Sequence, residues 1–370
     1  MAGVTVPPAE VLLSKRVQEM VIADDEPPAP YICRNDQDDD VEEESIENSP
    51  VPVVNIGCFL AENWSDKESA EELKKLKLAL STWGCFQGFI IWTNIVHVQA
   101  IGHGIPTSFL DEVRQIGREF FEQPMEEKKK YAKTVTEFQG YGADPVPEEG
   151  QSLDWSDRIF LDLVPEDQRN YKFWPQNPTS FKNTLEEYTE KLKKFTETIS
   201  KSMARSLNLD ENCFLKQFGE RAQLQARFNY YSSCKRPDLV LGLKPHADGT
   251  GYTIVLQDEV GLQMLNQGKW YTVPNNPDSL IVLMGDQMEI MSNGIFRSVV
   301  HRVVSDSKRV RISVTTFYTP EAGKEIGPEE GLTGVEAPRL YKKIKDYADI
   351  HWGYYQRGMR ALHTAQLITS

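Results

Sequence analysis

Two histidines and an aspartate have the types and spacing of a metal site. His246 and Asp248 are separated by one residue in the run Lys244–Gly249. If this run is extended, side chains at i and i+2 point to the same side, so both can reach one ion. His301 lies in a second β-like run, 299–304, and can complete a set of two imidazoles and one carboxylate. Such a facial set leaves coordination positions open, an arrangement typical of Fe(II) that binds oxygen and a further ligand.

An arginine and a serine downstream of His301 have the spacing of a carboxylate clamp. Arg311 and Ser313 are also separated by one residue, so in a strand a guanidinium fork and a hydroxyl would share one face and hold a carboxylate together. Taken singly, each of these pairs is common, and a histidine in an apolar strand is usually a core residue. The order of all five residues, in β-like surroundings, predicts a catalytic iron site at His246, Asp248 and His301 with a carboxylate cosubstrate beside it.

The composition is that of a globular chain with an acidic balance. The 370 residues include 41 Lys and Arg against 55 Asp and Glu, which gives a formal charge of −14. A phosphate-backbone partner requires basic patches, so we expect no nucleic-acid partner. No apolar run approaches the roughly 20 residues of a membrane span, so we expect no membrane partner. The expected partner is a small-molecule substrate, and the expected state is a monomer.

The cysteines indicate a reducing compartment. None of the five is spaced as a zinc knuckle or a Cys-x-x-Cys pair; they are Cys33, Cys58, Cys85, Cys213 and Cys234. An odd number of cysteines, without the pattern of a secretion signal near the N-terminus, predicts reduced thiols and a cytoplasmic protein.

Periodicity indicates which elements must position the five site residues. Apolar spacing typical of helices occurs in the segments 8–22, 65–82, 106–131, 180–207, 209–218 and 339–366. From about Gln223 the pattern changes to short runs rich in Val, Ile, Tyr and Thr between Gly, Pro, Asn and Asp, which predicts strands. Asn293-Gly294 predicts a turn between two of these strands.

Helices followed by at least six short strands predict an α+β fold with a double-stranded β-helix (jelly roll) core buttressed by α-helices. Residues 1–50 are predicted to be a helix and an acidic flexible linker, because a stretch so rich in Asp, Glu and Pro cannot bury enough apolar surface to fold. The rest divides into an N-terminal helical and strand region (51–220), a jelly-roll domain with the site (221–321) and a C-terminal helical segment (322–370).

Five short motifs carry a resemblance that covers about residues 50–360. They are Asn229-Tyr230-Tyr231, the run 241–249, Ser292-Asn293-Gly294, His301-Arg302-Val303 and Arg311-Ile312-Ser313. Upstream, the runs 102–105 and 120–121 match as well. On these residues the chain resembles the plant 2-oxoglutarate- and Fe(II)-dependent dioxygenases, the family of anthocyanidin synthase, flavonol synthase, codeine demethylase and the senescence-related oxygenase-like proteins.

The resemblance implies a ligand set for Fe(II) and for 2-oxoglutarate. The implied iron ligands are His246, Asp248 and His301. The residues implied at the cosubstrate are Arg311 and Ser313 on its distal carboxylate, with Tyr231 and Asn229 beside it.

The resemblance also places three residues on the substrate side. Arg227, Phe160 and Phe317 occupy positions that line the substrate in flavonoid-oxidising relatives. Ordinary core packing is an equally good interpretation for the two phenylalanines, and a surface ion pair is an equally good one for Arg227.

The reaction implied is oxidation of a small plant specialised metabolite or hormone, by hydroxylation, desaturation or demethylation. It consumes O2 and 2-oxoglutarate and releases succinate and CO2, with ascorbate implied as a reductant. Two alternatives stay open: an iron oxygenase of the same fold that does not use 2-oxoglutarate, and a non-catalytic jelly-roll binding protein. The identity of the substrate does not follow from the fold.

One interruption separates the chain from the family pattern. Relatives run from Trp-Gly-x-Phe-Gln directly into Ile-x-His-Gly, whereas here residues 83–87 and 100–104 are separated by the apolar, β-prone stretch 88–99. An uncharged apolar insertion is atypical of a surface loop and is prone to aggregation. We hypothesise that it comes from a retained intron or a misplaced splice boundary, which sequencing of the transcript would test.

Overall fold

The computed structural model describes residues 16–22, 26–33, 43–44, 50–60, 66–89, 104–134, 137–144 and 151–367. Most of the acidic segment predicted as a linker, and residues 8–15 of the first predicted helix, lie outside these ranges. Among the helices of the described chain, none combines the length and the apolar composition needed to cross a membrane. All five cysteines are described and are free thiols.

The helices precede and follow a block of strands. They are α1 (Val17–Ile22), α2 (Gly57–Leu60), α3 (Asp66–Thr82), α4 (Thr107–Phe121), α5 (Met125–Lys129), α6 (Phe181–Ser206), α7 (Cys213–Phe218), α8 (Asp286–Met291) and α9 (Tyr347–Tyr355). Short 3-10 turns occur at Ala29–Tyr31, Glu166–Gln168, Tyr171–Phe173, Glu330–Leu332 and Leu362–Thr364.

The strands form two large sheets and one small one. They are β1 (Glu43–Glu44), β2 (Val53–Asn55), β3 (Cys85–Phe89), β4 (Gly140–Gly142), β5 (Asp157–Val164), β6 (Gln223–Tyr231), β7 (Leu241–His246), β8 (Tyr252–Gln257), β9 (Leu262–Asn266), β10 (Lys269–Thr272), β11 (Leu280–Met284), β12 (His301–Val304), β13 (Arg311–Thr319), β14 (Glu325–Ile326) and β15 (Ile344–Lys345). The major sheet has the order β2-β3-β11-β8-β13-β6-β5-β4, and the minor sheet has the order β1-β10-β9-β12-β7. Apart from β1 with β10 and β2 with β3, which are parallel, the pairs are antiparallel. This arrangement confirms the jelly-roll core.

Alternating side chains of the major sheet pack on its two sides, one against the helices and the other against the minor sheet. On β8, Ile254 and Leu256 face outward and join the large core cluster that includes Leu185 and Leu192 of α6. Val255, between them, faces the minor sheet and packs in a second cluster with residues of β9, β11 and β12. Because a strand alternates its faces, one strand can bind the helices on one side and line the space between the sheets on the other.

The structure corrects three of the predicted elements. The helix predicted over 106–131 ends at Phe121 and restarts at Met125, since Pro124 between them has no N–H to continue the hydrogen bonding. The helix predicted over 339–366 is restricted to α9 and a 3-10 turn. Asn293-Gly294 does form a turn, with φ of 53° and 82°, but it follows α8 and does not join two strands.

The predicted insertion begins inside a strand. Gly88 pairs with Leu280 of β11, and Phe89 pairs with Asn55 of β2, so the first two inserted residues complete β3. The other inserted residues, 90–99, lie outside the described chain. The origin proposed for the insertion stays a hypothesis.

Candidate active site

The three predicted metal ligands meet at the ends of two paired strands of the minor sheet. His246 is the last residue of β7 and His301 the first of β12, and the two are directly opposed in register. Their rings are 4.3 Å apart between centroids. Asp248 Oδ1 lies 3.3 Å from His246 Nε2 and 3.9 Å from His301 Nε2. Asp248 lies just beyond β7, not within a strand as the i and i+2 argument assumed.

Backbone carbonyls fix the orientation of both imidazoles. Nδ1 of His246 is 2.9 Å from the carbonyl of Lys244, and Nδ1 of His301 is 3.3 Å from that of Val299. A ring whose Nδ1 donates to a carbonyl presents Nε2 as the metal-binding atom, which is the usual support for a histidine ligand. One ligand atom from each of the three residues lies within 4.8 Å of the others, so the group fits a single metal ion.

The loop that carries Asp248 is held along its backbone. His351 Nε2 donates to the carbonyl of Ala247 at 2.8 Å, and Gln287 Nε2 donates to that of Gly249 at 2.8 Å. The N–H of Asp286 donates to the carbonyl of Asp248, also at 2.8 Å. The turn between β7 and β8 therefore has little freedom to move the carboxylate.

Charges within the triad favour metal binding. Burial alone would raise the pKa of Asp248, but the two imidazoles and a 2.6 Å hydrogen bond from Thr253 hold that pKa below its usual range. Burial, together with the neighbouring His246, lowers the pKa of His301 to about 4. An ionised carboxylate and a neutral imidazole are the protonation states that a metal ligand requires.

A narrow inner pocket next to the triad contains the predicted carboxylate clamp. Arg311 and Ser313 line it together with the three ligands of the triad. Arg311 is buried, with Nε donating to the carbonyl of Glu259 at 3.0 Å and one terminal nitrogen to Gln257 at 2.9 Å. The other terminal nitrogen, Nη1, is buried without a hydrogen-bond partner among the described residues. Because a buried unpaired guanidinium N–H is costly, this atom points to an anionic ligand.

Strand register brings the other predicted cosubstrate residues to the same pocket. Ser313 is opposed to Asn229 on β6, and Arg311 to Tyr231. Asn229 Nδ2 donates to Ser313 Oγ at 3.2 Å, and the Arg311 guanidinium lies 4.9 Å from the centre of the Tyr231 ring.

A glycine makes room for the Arg311 side chain. Gly261 has a φ of +143°, and a Cβ built on it would lie 3.0 Å from Arg311 Cδ. A larger residue there would be strained and would push the guanidinium out of place.

An outer cavity of about 640 Å³ opens from the other side of His246 and Asp248. Arg227, Phe160 and Phe317, the three residues predicted on the substrate side, all line it. The two phenylalanine rings are nearly parallel, with centroids 6.0 Å apart and an interplanar angle of 19°. Neither ring belongs to a core cluster of the described chain. Arg227 does form an ion pair, with Asp144 at 3.0 Å, but the pair is largely buried in the cavity wall and is not on the surface.

Sequence reasoning missed the wall of the outer cavity that α9 contributes. The cavity is lined by His351, Trp352 and Tyr355. The centroid of the Tyr355 ring lies 5.4 Å from that of the His246 ring. Trp352 packs edge-on against Phe138 at 4.8 Å. Their spacing of three and four residues is that of one helix face, which was the available signal.

The chain resembles known enzymes over most of its length. Residues 222–320 match the 2OG-Fe(II) oxygenase superfamily, and residues 51–177 match the N-terminal region of the non-haem dioxygenases in morphine synthesis. Jasmonate-induced oxygenase 4 of Arabidopsis thaliana is 37% identical over 74% of this chain and 76% of its own length. Codeine O-demethylase of Papaver somniferum is 33% identical over 94% of this chain and 91% of its own. The crystal structure of JOX2 in complex with 2OG, Fe and JA is similar with a TM-score of 0.78, at 30% identity, over 95% of this chain and 98% of that one.

The jelly roll, the facial triad and the buried arginine define an iron oxygenase that uses a carboxylate cosubstrate. The chain belongs to the plant 2-oxoglutarate- and Fe(II)-dependent dioxygenase family. It is an enzyme of that class and uses Fe(II), 2-oxoglutarate and O2.

Proposed function

We propose that this enzyme oxidises a small specialised metabolite or hormone of plants, with Fe(II) held by His246, Asp248 and His301. The bound iron supplies the oxidising chemistry that side chains cannot provide. The protein's own side chains bind and orient the cosubstrate and the substrate, and they exclude water. Codeine O-demethylase, and the JOX2 structure in complex with 2OG, Fe and JA, support this range of substrates.

The observation that carries the proposal is Nη1 of Arg311, which is buried in the pocket beside the triad and has no hydrogen-bond partner among the described residues. A cosubstrate carboxylate beside Arg311 would give this N–H an acceptor, with Ser313 Oγ as the second donor. Asn229 would hold the Ser313 hydroxyl in place through their 3.2 Å hydrogen bond, and the Tyr231 ring would help to hold the guanidinium by a cation–π contact.

The outer cavity is the proposed substrate site. It shares His246, Asp248, Arg227 and Phe317 with the inner pocket, so a molecule in the cavity lies against the open side of the triad. Its volume of about 640 Å³ is in the range of small-molecule sites. Phe160 and Phe317 would contact the apolar body of the substrate.

Anaerobic absorption spectroscopy tests the iron and cosubstrate assignment. Adding Fe(II) and 2-oxoglutarate to folded protein is expected to give a visible metal-to-ligand charge-transfer band. Succinate release is then measured with a panel of plant metabolites, with and without ascorbate. Folded protein without the band would exclude this function, and oxidation without any requirement for 2-oxoglutarate would favour the alternative iron oxygenase.

We further propose that the enzyme acts as a monomer in the cytoplasm. The five free thiols support a reducing compartment. Gel filtration with light scattering and the localisation of a fluorescent fusion test the two parts separately.

A further inference from the structure

Asp144 pairs with both arginines of the outer cavity, Arg158 and Arg227. Its Oδ1 accepts a hydrogen bond from Arg158 Nε at 2.6 Å, and its Oδ2 lies 3.0 Å from Arg227 Nη1. The side chains of the two arginines are 1% and 13% exposed, and that of Asp144 is 17% exposed. One internal carboxylate thus bridges two guanidinium groups at the wall of the cavity.

Further hydrogen bonds reduce the number of N–H donors that Arg227 and Arg158 can offer to a ligand. Arg227 Nε donates to Asn229 Oδ1 at 2.6 Å, and Arg158 Nη1 donates to the carbonyl of Phe138 at 2.8 Å. In the described chain these two are the basic side chains other than histidine that line the cavity. A paired arginine can still give a hydrogen bond to a neutral carbonyl or hydroxyl oxygen, since a guanidinium has five N–H donors.

Apart from two histidines, the other described residues of the cavity wall are acidic, neutral polar or apolar. Besides Asp144 and the iron ligand Asp248, the carboxylates that line the cavity are Glu137, Asp162 and Asp349. The apolar part consists of Ala348 and the aromatic rings at positions 138, 160, 173, 317, 352 and 355. A second anion would meet more carboxylates than guanidinium groups there, in surroundings partly screened from water.

From this geometry we infer that the substrate is an uncharged molecule that presents an oxygen atom to Arg227, and that Asp144 makes the cavity select against carboxylates. The inference rests on the proposed function, because it takes the outer cavity as the substrate site. A substrate carboxylate would have to displace Asp144, which is tethered and therefore competes at a high effective concentration. Displacement would also leave a partly buried carboxylate without its partners.

Matched acids and esters test this selection. The anaerobic Fe(II)- and 2-oxoglutarate-loaded protein is titrated calorimetrically with jasmonic acid, cinnamic acid and their methyl esters. The natural chain is expected to bind neither acid more tightly than its ester. In Asp144→Asn the affinity for the acids is expected to rise about tenfold or more, because the variant frees two guanidinium groups for a charged hydrogen bond.

Asp162→Asn is the matched control, because it removes a carboxylate from the same cavity without touching Arg227. Its acid affinity is expected to change by less than about threefold, the range of a distant screened charge. Tighter binding of an acid than of its ester by the natural chain would overturn the inference. So would an unchanged acid affinity in Asp144→Asn, or an equal gain in both variants.

The charge-transfer band separates this test from that of the proposed function. If the natural chain lacks the band, the iron and cosubstrate assignment fails; if the band is present, the acid and ester affinities judge the inference alone. The band also reports whether Asp144→Asn is folded and loaded. If that variant does not load, the preference of the natural chain between acid and ester still decides.

Discussion

The inner pocket is assembled from paired strands, whereas the outer cavity takes its walls from separate stretches of chain. The inner pocket is lined by residues between 227 and 317, most of them on strands β6, β7, β8, β12 and β13. To part of that set the outer cavity adds residues from the stretches 137–144, 158–173 and 348–355, and residues at positions 223, 225, 249, 250 and 319. The two spaces share only their boundary, at Arg227, His246, Asp248 and Phe317.

This difference in construction implies a difference in tolerance to change. Register fixes three pairs in the inner pocket: His301 with His246, Arg311 with Tyr231, and Ser313 with Asn229. A slip of one residue would turn every one of these side chains to the other face. The shape of the outer cavity depends on how α9 and the segment around Asp144 pack. Such segments can change without disturbing the hydrogen bonds between the strands. We therefore expect the register of the sheet to determine the reaction, and the segments packed on the sheet to determine the substrate together with Arg227, Phe160 and Phe317.

The largest effect is expected when the boundary itself is broken. Asp248→Ala removes the only carboxylate of the triad and the acceptor of the Thr253 hydroxyl. Two imidazoles alone hold Fe(II) poorly, so the charge-transfer band and 2-oxoglutarate-dependent succinate formation should both be lost. Asp162→Asn in the outer cavity should retain the band. A band of full intensity in folded Asp248→Ala would show that the metal site lies elsewhere.

A change confined to the inner pocket should affect the cosubstrate. Arg311→Ala removes a charge-assisted hydrogen bond to the distal carboxylate, so the KM for 2-oxoglutarate should rise by about 10- to 100-fold. Substrate affinity at saturating 2-oxoglutarate should change far less. Arg309→Ala is the matched control, because Arg309 is exposed and pairs with Asp306. Equal KM values for 2-oxoglutarate in the two variants would remove Arg311 from the proposed clamp.

Most of the polar residues of the inner pocket could be predicted from the sequence, the triad and the clamp from their spacing, and Asn229 and Tyr231 from the resemblance. Its residues lie in short runs with period-two spacing, and that spacing survives folding because β6 and β13 are regular strands. One assumption was wrong in detail, since Asp248 lies beyond the end of β7. Its position depends on hydrogen bonds from Asp286, Gln287 and His351 to the loop, which are far away in sequence.

The outer cavity could be predicted only where a family motif reached it. Phe160, Phe317 and Arg227 were found by resemblance, but the partner of Arg227 was not. Asp144 lies 83 residues before Arg227, and no local period links them. The aromatic face of α9 was missed although its spacing was a signal, because the predicted helix was too long to show which of its residues turn toward the site.

A change confined to the outer cavity should affect the substrate and leave the cosubstrate alone. Phe160→Leu keeps an apolar side chain but removes a ring that lies nearly parallel to Phe317. The KM for an active substrate should rise by about two- to tenfold, the value of an aromatic contact beyond its area. The KM for 2-oxoglutarate, measured in the same assays, should stay within experimental error. A parallel rise in both constants would mean that the two spaces are not independent.

The smallest effect concerns the anchorage of β5, which carries Arg158 and Phe160 into the outer cavity. Asp157, its first residue, is buried, and its carboxylate accepts the N–H of Gln18 at 2.9 Å. Burial raises the pKa of Asp157 from 3.8 to about 6. Since the folded chain holds this proton more tightly than the unfolded chain, the stability it contributes is complete below about pH 4 and is lost as the pH rises through about 6.

Asp157→Asn should therefore stabilise the protein at pH 7.5, because asparagine resembles the protonated acid and its Oδ1 can still accept the N–H of Gln18. The gain in the free energy of unfolding should be about 1–2 kcal/mol, less than the roughly 3 kcal/mol that the full pKa shift implies, because the amide N–H needs an acceptor. Urea denaturation at pH 7.5 and pH 5 measures it, and the gain should be smaller at pH 5. A variant that is less stable at pH 7.5 would show that the charges of Arg16 and Lys128, which act on this carboxylate, outweigh its burial. In that case the start of β5 would be held by an ion pair and not by a protonated acid.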